Sequence, residues 1–260
     1  MVEITFLGVG SATPAVGGDH VALLMRTGEL AALIDAGPAI MVQLGRQGLI
    51  AEDIDVLLVT HAHGDHVLGW PMLLFRQRPL IVVAAPETQR VLRELAWLVY
   101  PELQEPMADR LTFVDLEPGG EWRVGPLRMR SAATCHSIAS QAYRFDYEEI
   151  NCALTYSGDT GPCDRVRKLA QGCDLLIHEA TYLSVQEPMY GHSTVGQAAQ
   201  IAAAAGCGAL ALVHRNHGQP EALALYEAEV RAYYNGVWWL PHAGQTVILS
   251  PGGLTIAGGR

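Results

Sequence analysis

The stretch Val56-Leu57-Leu58-Val59-Thr60-His61-Ala62-His63-Gly64-Asp65-His66 joins an uncharged run to three imidazoles and a carboxylate within six residues. Val56 to Thr60 has the composition of a central strand buried on both faces. His61 and His63, two apart in an extended segment, point the same way. Gly64 permits a tight turn, so Asp65 and His66 face the same cavity from the start of a helix. Imidazole and carboxylate together suit Zn²⁺, Mn²⁺ or Fe²⁺. The spacing divides naturally, with His61 and His63 on one ion and Asp65 and His66 on a second. A solvated loop does not need this concentration of ligands at a strand end, and a structural zinc site would use Cys and close all four positions.

Outward from that run, short apolar strands open the chain at Val2 to Leu7, Val21 to Arg26 and Ala31 to Asp35. The pattern predicts a helix over Pro38 to Gln47, another after the histidine run, a strand at Leu80 to Ala84, and a helix from the first-turn proline Pro86 to Tyr100. Pro101 to Arg110 reads as a connection, and Leu111 to Phe145 is strand-rich. After the strand Cys152 to Ser157, helices (Pro162 to Ala170, Thr194 to Ala205, Pro220 to Tyr234) alternate with strands (Asp174 to Ile177, Ala209 to Val213, Thr246 to Leu249). Thr194 and Gln197 form a capping-box signature. The glycine-rich tail from Gly252 to Arg260 reads as a frayed end. Strands, then strand and helix, then the same again, imply two sheets with helices outside both, an αββα layering of two similar halves in one domain, residues 1–260.

Composition narrows the function classes. Half of the 260 residues are apolar, enough for a large core. Seventeen basic against 27 acidic residues give a formal charge of -10, which opposes broad contact with phosphate backbones. The local basic groups Arg76/Arg78, Arg123 to Arg130 and Arg165 to Lys168 read as solvated face. The five cysteines contain no Cys-x-x-Cys pair and read as free thiols of a reducing cytoplasm. No segment reads as a signal peptide or a membrane span.

The His-x-His-x-Asp-His run resembles the signature of the metallo-β-lactamase superfamily, and the likeness continues from Ile4 to about Leu249. The strings Phe6-Leu7-Gly8, Ser157-Gly158-Asp159-Thr160, His178-Glu179-Ala180-Thr181, His192-Ser193-Thr194 and Leu212-Val213-His214 resemble the ribonuclease-Z-like branch. The resemblance implies an α+β fold, an αββα sandwich of two mixed sheets with helices on both outer faces. It implies one divalent ion, expected to be zinc, on His61, His63 and His136, a second on Asp65, His66 and His214, and Asp159 bridging them. It also implies that His192, held by Glu179, serves the leaving group, and that Asp65 orients the attacking hydroxide. On their own terms the residues leave alternatives open. Asp159 also reads as a turn or capping aspartate, His136 as a satisfied core histidine, His192 as a cap-region residue, and His217 competes with His214. The helix start at Thr194 offers backbone N–H groups to a phosphate.

The chain departs from the branch in three places. Bacterial ribonuclease Z carries a long tRNA-grasping arm between the isolated histidine and the bridging aspartate, whereas His136 and Asp159 lie only 23 positions apart. Where the branch has Arg-Asn, this chain has Asp19-His20, and His242 stands in a loop where the branch has Asp-Gly. His20 and His242 are candidate mouth residues. The expected function is therefore a metal-dependent hydrolase, foremost a phosphodiesterase for a small anionic ester. The alternatives are a tRNA 3′-end-processing endonuclease acting on extended RNA, or a hydrolase of carboxylic esters, lactones or sulfate esters. A metal-stabilised binding protein is the non-enzyme alternative. The resemblance further implies a homodimer, with Trp97, Tyr100, Trp238 and Trp239 as either interface or core.

Overall fold

The computed structural model describes residues 1–14, 18–28, 30–186, 190–216 and 223–257. Fifteen strands are named among them: β1 Val2–Gly8, β2 Ala22–Thr27, β3 Leu30–Ile34, β4 Val56–Leu58, β5 Leu80–Ala84, β6 Leu111–Asp115, β7 Glu121–Val124, β8 Leu127–Ala133, β9 Gln141–Tyr147, β10 Cys152–Tyr156, β11 Leu175–Glu179, β12 Ala209–Val213, β13 Val237–Trp239, β14 Thr246–Ser250 and β15 Gly253–Ala257. The helices are α1 Ile40–Arg46, α2 Gly64–Val67, α3 Pro86–Val99, α4 Gln104–Met107, α5 Asp164–Leu169, α6 Val195–Ala205 and α7 Leu223–Arg231. One sheet runs β15-β14-β1-β2-β3-β4-β5-β6, the other β13-β12-β11-β10-β9-β8-β7. Both are mixed: β3 to β6 and β10 to β13 are parallel blocks, the remaining pairs antiparallel.

Alternation survives inside strands with no polar residue. Val56 and Leu58 face the other sheet, whereas Leu57 packs outward with Ile40, Leu44 and Trp70. Ala211 and Val213 face inward, whereas Leu210 and Leu212 pack under α6 and α7 against Ala198, Ala202, Tyr226 and Val230. The result is the expected αββα layering, with Phe6, Tyr143, Phe145 and Tyr156 among the large side chains between the sheets.

The differences from expectation are local. The connection at Pro101 to Arg110 contains the short helix α4, anchored by the buried Met107. The tail is not frayed over Gly253–Ala257, because antiparallel pairing with β14 satisfies its backbone. β13 leaves no signal in the sequence because three residues carry no period. The helix after the histidine run is only Gly64–Val67, followed by a 3₁₀ turn from Trp70 to Leu74. Arg76 is not solvated face. It is 2 % exposed, and its guanidinium donates to the carbonyls of Ala51, Ile54, Arg78 and Pro79, stapling the loops beneath β4 and β5. Trp97, Trp238 and Trp239 pack against the core, and Tyr100 stacks edge-on against the exposed Phe75. All five cysteines are free. Among the described residues no helix is long and apolar enough to cross a membrane.

Candidate metal centre

Parallel strands leave their carboxyl ends on one edge, the usual ligand-binding edge of α/β sheets. Asp35 follows β3, His61 comes three positions after β4, Asp159 three after β10, Glu179 ends β11 and His214 follows β12. The two sheets therefore deliver these side chains to one rim. Gly158 makes the turn into Asp159 at φ +56°, and a Cβ there would meet the Gln141 carbonyl at 2.8 Å. Asp35 and His214 also hold positive φ, 61° and 55°, without being glycine. Such strain collects where surrounding contacts over-determine a functional residue.

Two clusters form. His61 Nε2 and His136 Nε2 lie 3.1 and 3.0 Å from His63 Nδ1. Asp65 Oδ2 lies 3.3 Å from both His66 Nε2 and His214 Nε2. Asp159 Oδ2 stands between the clusters, 3.7 Å from His61 Nε2, 3.5 Å from His66 Nε2 and 3.2 Å from His214 Nε2. Within each set, His61, His63, His136, Asp159 and Asp65, His66, Asp159, His214, the ligand atoms are within 4.8 Å of one another.

The outer hydrogen bonds assign the tautomers. Thr60 Oγ1 gives its proton to Asp35 and accepts from His61 Nδ1 at 3.0 Å. His66 Nδ1 donates to Asp35 Oδ2 at 2.8 Å, and His136 Nδ1 to the Gly191 carbonyl at 2.8 Å. His214 Nδ1 donates to Thr181 Oγ1 at 2.9 Å, and that hydroxyl donates to Glu179 Oε2 at 2.8 Å. Each Nε2 thus turns a lone pair toward the centre, where like-charged lone pairs repel unless a cation lies between them. His66 Nε2 and Asp159 Oδ1 are buried with no hydrogen-bond partner among the described residues. The donor set and these orphaned atoms fit divalent cations.

Electrostatics agree. Burial, reinforced by neighbouring imidazoles, holds His61, His63 and His136 below the ordinary histidine range, in the neutral form a cation needs. Burial would raise the Asp65 and Asp159 carboxyls, but the hydrogen bonds and charges of His214 and His66 outweigh it and keep both ionised. Against the lowering effect of its burial, Asp159 and Asp35 push His66 well above the ordinary value, so without a cation a proton takes that place.

Glu179 is the hub behind the clusters. Its Oε1 accepts from His192 Nδ1 at 2.9 Å and from Thr160 N at 3.2 Å, and its Oε2 accepts from the N–H and hydroxyl of Thr181. His192 Nδ1 is also 3.9 Å from Asp159 Oδ2. Burial alone would depress the His192 imidazole, but Glu179, with Asp159 and Asp65 behind it, holds it above its usual value.

Other expectations fare differently. Asp35, Tyr156 and Thr181 join the centre beyond the expected residues; Tyr156 OH reaches Asp35 Oδ2 at 3.4 Å. The available signal was a polar residue directly after an apolar strand, as at Ile34-Asp35. His178 turns away from the rim into the helix side of β11, because adjacent strand residues face opposite ways, and among the described residues it bonds only its neighbour's carbonyl. The N–H groups at the start of α6 are taken by Tyr182 O, Glu229, Thr194 and Gln197, leaving none for a phosphate. His20 is half-buried with its Cβ beside Gly37, whose own Cβ position would meet Asp65 O at 2.1 Å. His242 is exposed and its Nδ1 lies 3.1 Å from the Ala243 carbonyl, and His217 lies outside the described residues. The basic groups at Arg128 to Arg144 line a cavity of about 410 Å³ on the outer face of the second sheet, where Asp146, Glu121 and Glu148 pair with them.

Fold and centre together define a metal-dependent hydrolase of the αββα type. The model of the beta-lactamase superfamily domain matches residues 32–215. The chain belongs to the metallo-β-lactamase superfamily. A ribonuclease Z from Aeropyrum pernix is 29% identical over 301 aligned positions, covering 91% of this chain and 95% of that protein. The alignment is longer than this chain, so the relative holds segments with no counterpart here. A ribonuclease Z from Mycobacterium sp. (strain KMS) is 29% identical over 241 positions, covering 82% of this chain and 84% of the other. Among solved structures, the metallo-β-lactamase fold protein YhfI from Bacillus subtilis superimposes with a TM-score of 0.82 at 21% identity, covering 95% of this chain and 99% of that one.

Proposed function

We propose that the protein is a phosphodiesterase that hydrolyses a small phosphodiester at a binuclear centre. His61, His63 and His136 would hold one ion, Asp65, His66 and His214 the other, with Asp159 between them; zinc fits this donor set best, and manganese or iron fits it too. Two bound divalent ions would make a hydroxide available at neutral pH and neutralise the anionic ester.

The chain's own residues do the rest. Asp65, ionised and facing the cluster, orients the nucleophile. As the new P–O bond forms, the bond to the leaving oxygen breaks and its electron pair stays on that oxygen. His192 is the acid that protonates it. Glu179 occupies Nδ1, so the transferable proton sits on Nε2, and the carboxylate's charge steadies the imidazolium until transfer. The observation that carries the reading is this 2.9 Å Glu179–His192 pair set against the ligand cluster. A carboxylic ester with an activated leaving group has less use for such an acid.

The curated relatives' name favours a second reading, tRNA 3′-end processing. Against it stands the segment between His136 and Asp159, which β9, a 3₁₀ turn at Glu148–Ile150 and β10 consume apart from short connections. The deciding experiment offers metal-loaded protein bis-aryl and mono-aryl phosphates, cyclic nucleotides, precursor tRNA, an aryl sulfate and a lactone. Turnover of the small diesters with loss on His192→Ala supports the proposal. Preference for precursor tRNA supports the second reading, and turnover of carboxylic esters alone defeats both.

A further inference from the structure

The rim of the centre differs from its floor. Leu68, 55% exposed, lies over the turn between His63 and Asp65: a Cβ on Gly64 would meet Leu68 Cδ1 at 2.9 Å. Ile138, 39% exposed, sits in the loop between His136 and Ser140, and Ser140 bridges to His61. The Tyr182 ring stands 6.2 Å from that of His192, edge to face. Tyr190, also exposed, precedes Gly191, whose carbonyl holds His136. Four apolar or aromatic residues from three connections, after α2, between β8 and β9, and between β11 and α6, therefore stand beside residues of the centre.

Cationic side chains are directed elsewhere. Among the described residues, no Lys or Arg forms a hydrogen bond or ion pair with any member of the two clusters, with Glu179 or with His192. Arg215, next to His214, donates to the Pro241 carbonyl and lies near Tyr226 of the outer helix layer. Arg165 is tied to the carbonyls of Ala133 and Thr134. Attraction for anions would then come from the bound ions and the His192 imidazolium, which all serve one phosphoryl group. A further phosphate on either arm of the substrate would meet apolar surface and lose hydration without a partner.

We propose, resting on the phosphodiesterase reading, that the substrate is a monoanionic phosphodiester, charged only at the scissile phosphate, with at least one apolar or aromatic arm seated on Leu68, Ile138, Tyr182 and Tyr190. The test uses metal-loaded protein and diesters that share a p-nitrophenyl leaving group while the other arm is methyl, phenyl, or phenyl bearing a second phosphate. The phenyl arm is expected to exceed methyl in kcat/KM by about tenfold, the return on burying one ring. The phosphorylated arm is expected to fall below phenyl by at least about tenfold. Leu68→Ser and Ile138→Ser each narrow the phenyl-to-methyl ratio, a comparison internal to each variant. Equal rates for phenyl and methyl, or faster turnover of the phosphorylated arm, overturn the substrate class and leave the phosphodiesterase reading standing. Failure to cleave any diester defeats that reading, and this inference with it.

Discussion

Glu179→Gln tests the leaving-group chemistry because it keeps the size of the side chain and removes its charge. In the native protein Glu179 Oε1 is 2.9 Å from His192 Nδ1, and the histidine side chain is only 16% exposed. A hydrogen bond to a charged group contributes about 1.5–3 kcal/mol, and one pKa unit corresponds to about 1.4 kcal/mol. Coulomb's law at an effective dielectric of about 20 allows roughly 4 kcal/mol at this range before solvent reduces it. The His192 pKa should therefore drop by about one to two pH units in the variant. Asp159, Asp65, His136 and His214 also face the ring, and the substitution leaves them in place. The sign follows from which form works. The protonated imidazole is the acid, so activity is full below its pKa and lost as pH rises through it. The alkaline limb of the kcat profile should move to lower pH by about one to two units, with about 10- to 100-fold loss above it. The assay compares an alkyl diester, whose alkoxide must be protonated, with a nitrophenyl diester, whose phenolate departs unaided. Only the alkyl ester should show the displaced limb. An unmoved limb, or equal losses for both esters, would refute the acid role.

Three further outcomes follow from the contacts behind the centre. Asp35→Asn removes the carboxylate that holds His66 and, through Thr60, His61; metal affinity measured by chelator competition should fall about 10- to 100-fold, and unchanged affinity contradicts the orienting role. Thr181→Val keeps the side-chain shape but strips the hydroxyl between His214 and Glu179, so a calorimetric metal titration should show one of two sites weakened and the other intact; equal weakening of both would count against the assignment of His214 to a single ion. Arg76→Met leaves the carbonyls of Ala51, Ile54, Arg78 and Pro79 unpaired and should cost about 3 kcal/mol in urea unfolding, whereas a change under about 0.5 kcal/mol would mean that water replaces the guanidinium freely.

The layering was legible because each central strand carries its own instruction. Leu57 between Val56 and Leu58 has no polar neighbour, yet the brevity of the run and the ligands that end it mark a strand rather than a helix. Leu80–Ala84 and Ala209–Val213 fall where the apolar pattern places them for the same reason. What stayed hidden were elements whose identity lies in a partner. Val237–Trp239 is a strand because β12 lies alongside it, and Gly253–Ala257 because β14 does. Arg76 looked like a surface cation because nothing local shows that four carbonyls converge on it.

The centre divides along the same line. His61, His63, Asp65 and His66 lie within one turn of chain, so spacing alone brings them together. His136, Asp159 and His214 needed the family pattern, because only the stacking of two sheets carries them to the same edge. Asp35, Thr181 and Tyr156 are chemically ordinary residues; Asp35 shows only as a polar residue ending an apolar strand, and neither the type nor the spacing of the other two marks a partner of the centre. Yet those ordinary groups decide what the histidines can do. Asp35 points two imidazoles at the centre, one of them through Thr60. Glu179 serves His192 with one oxygen and, through Thr181, His214 with the other. One carboxylate thus links the acid that would release the leaving group to a ligand that would hold a metal. If both roles hold, neutralising Glu179 must disturb the pH profile and the metal site together, whereas Thr181→Val cuts the branch to His214 and leaves the 2.9 Å Glu179–His192 bond in place.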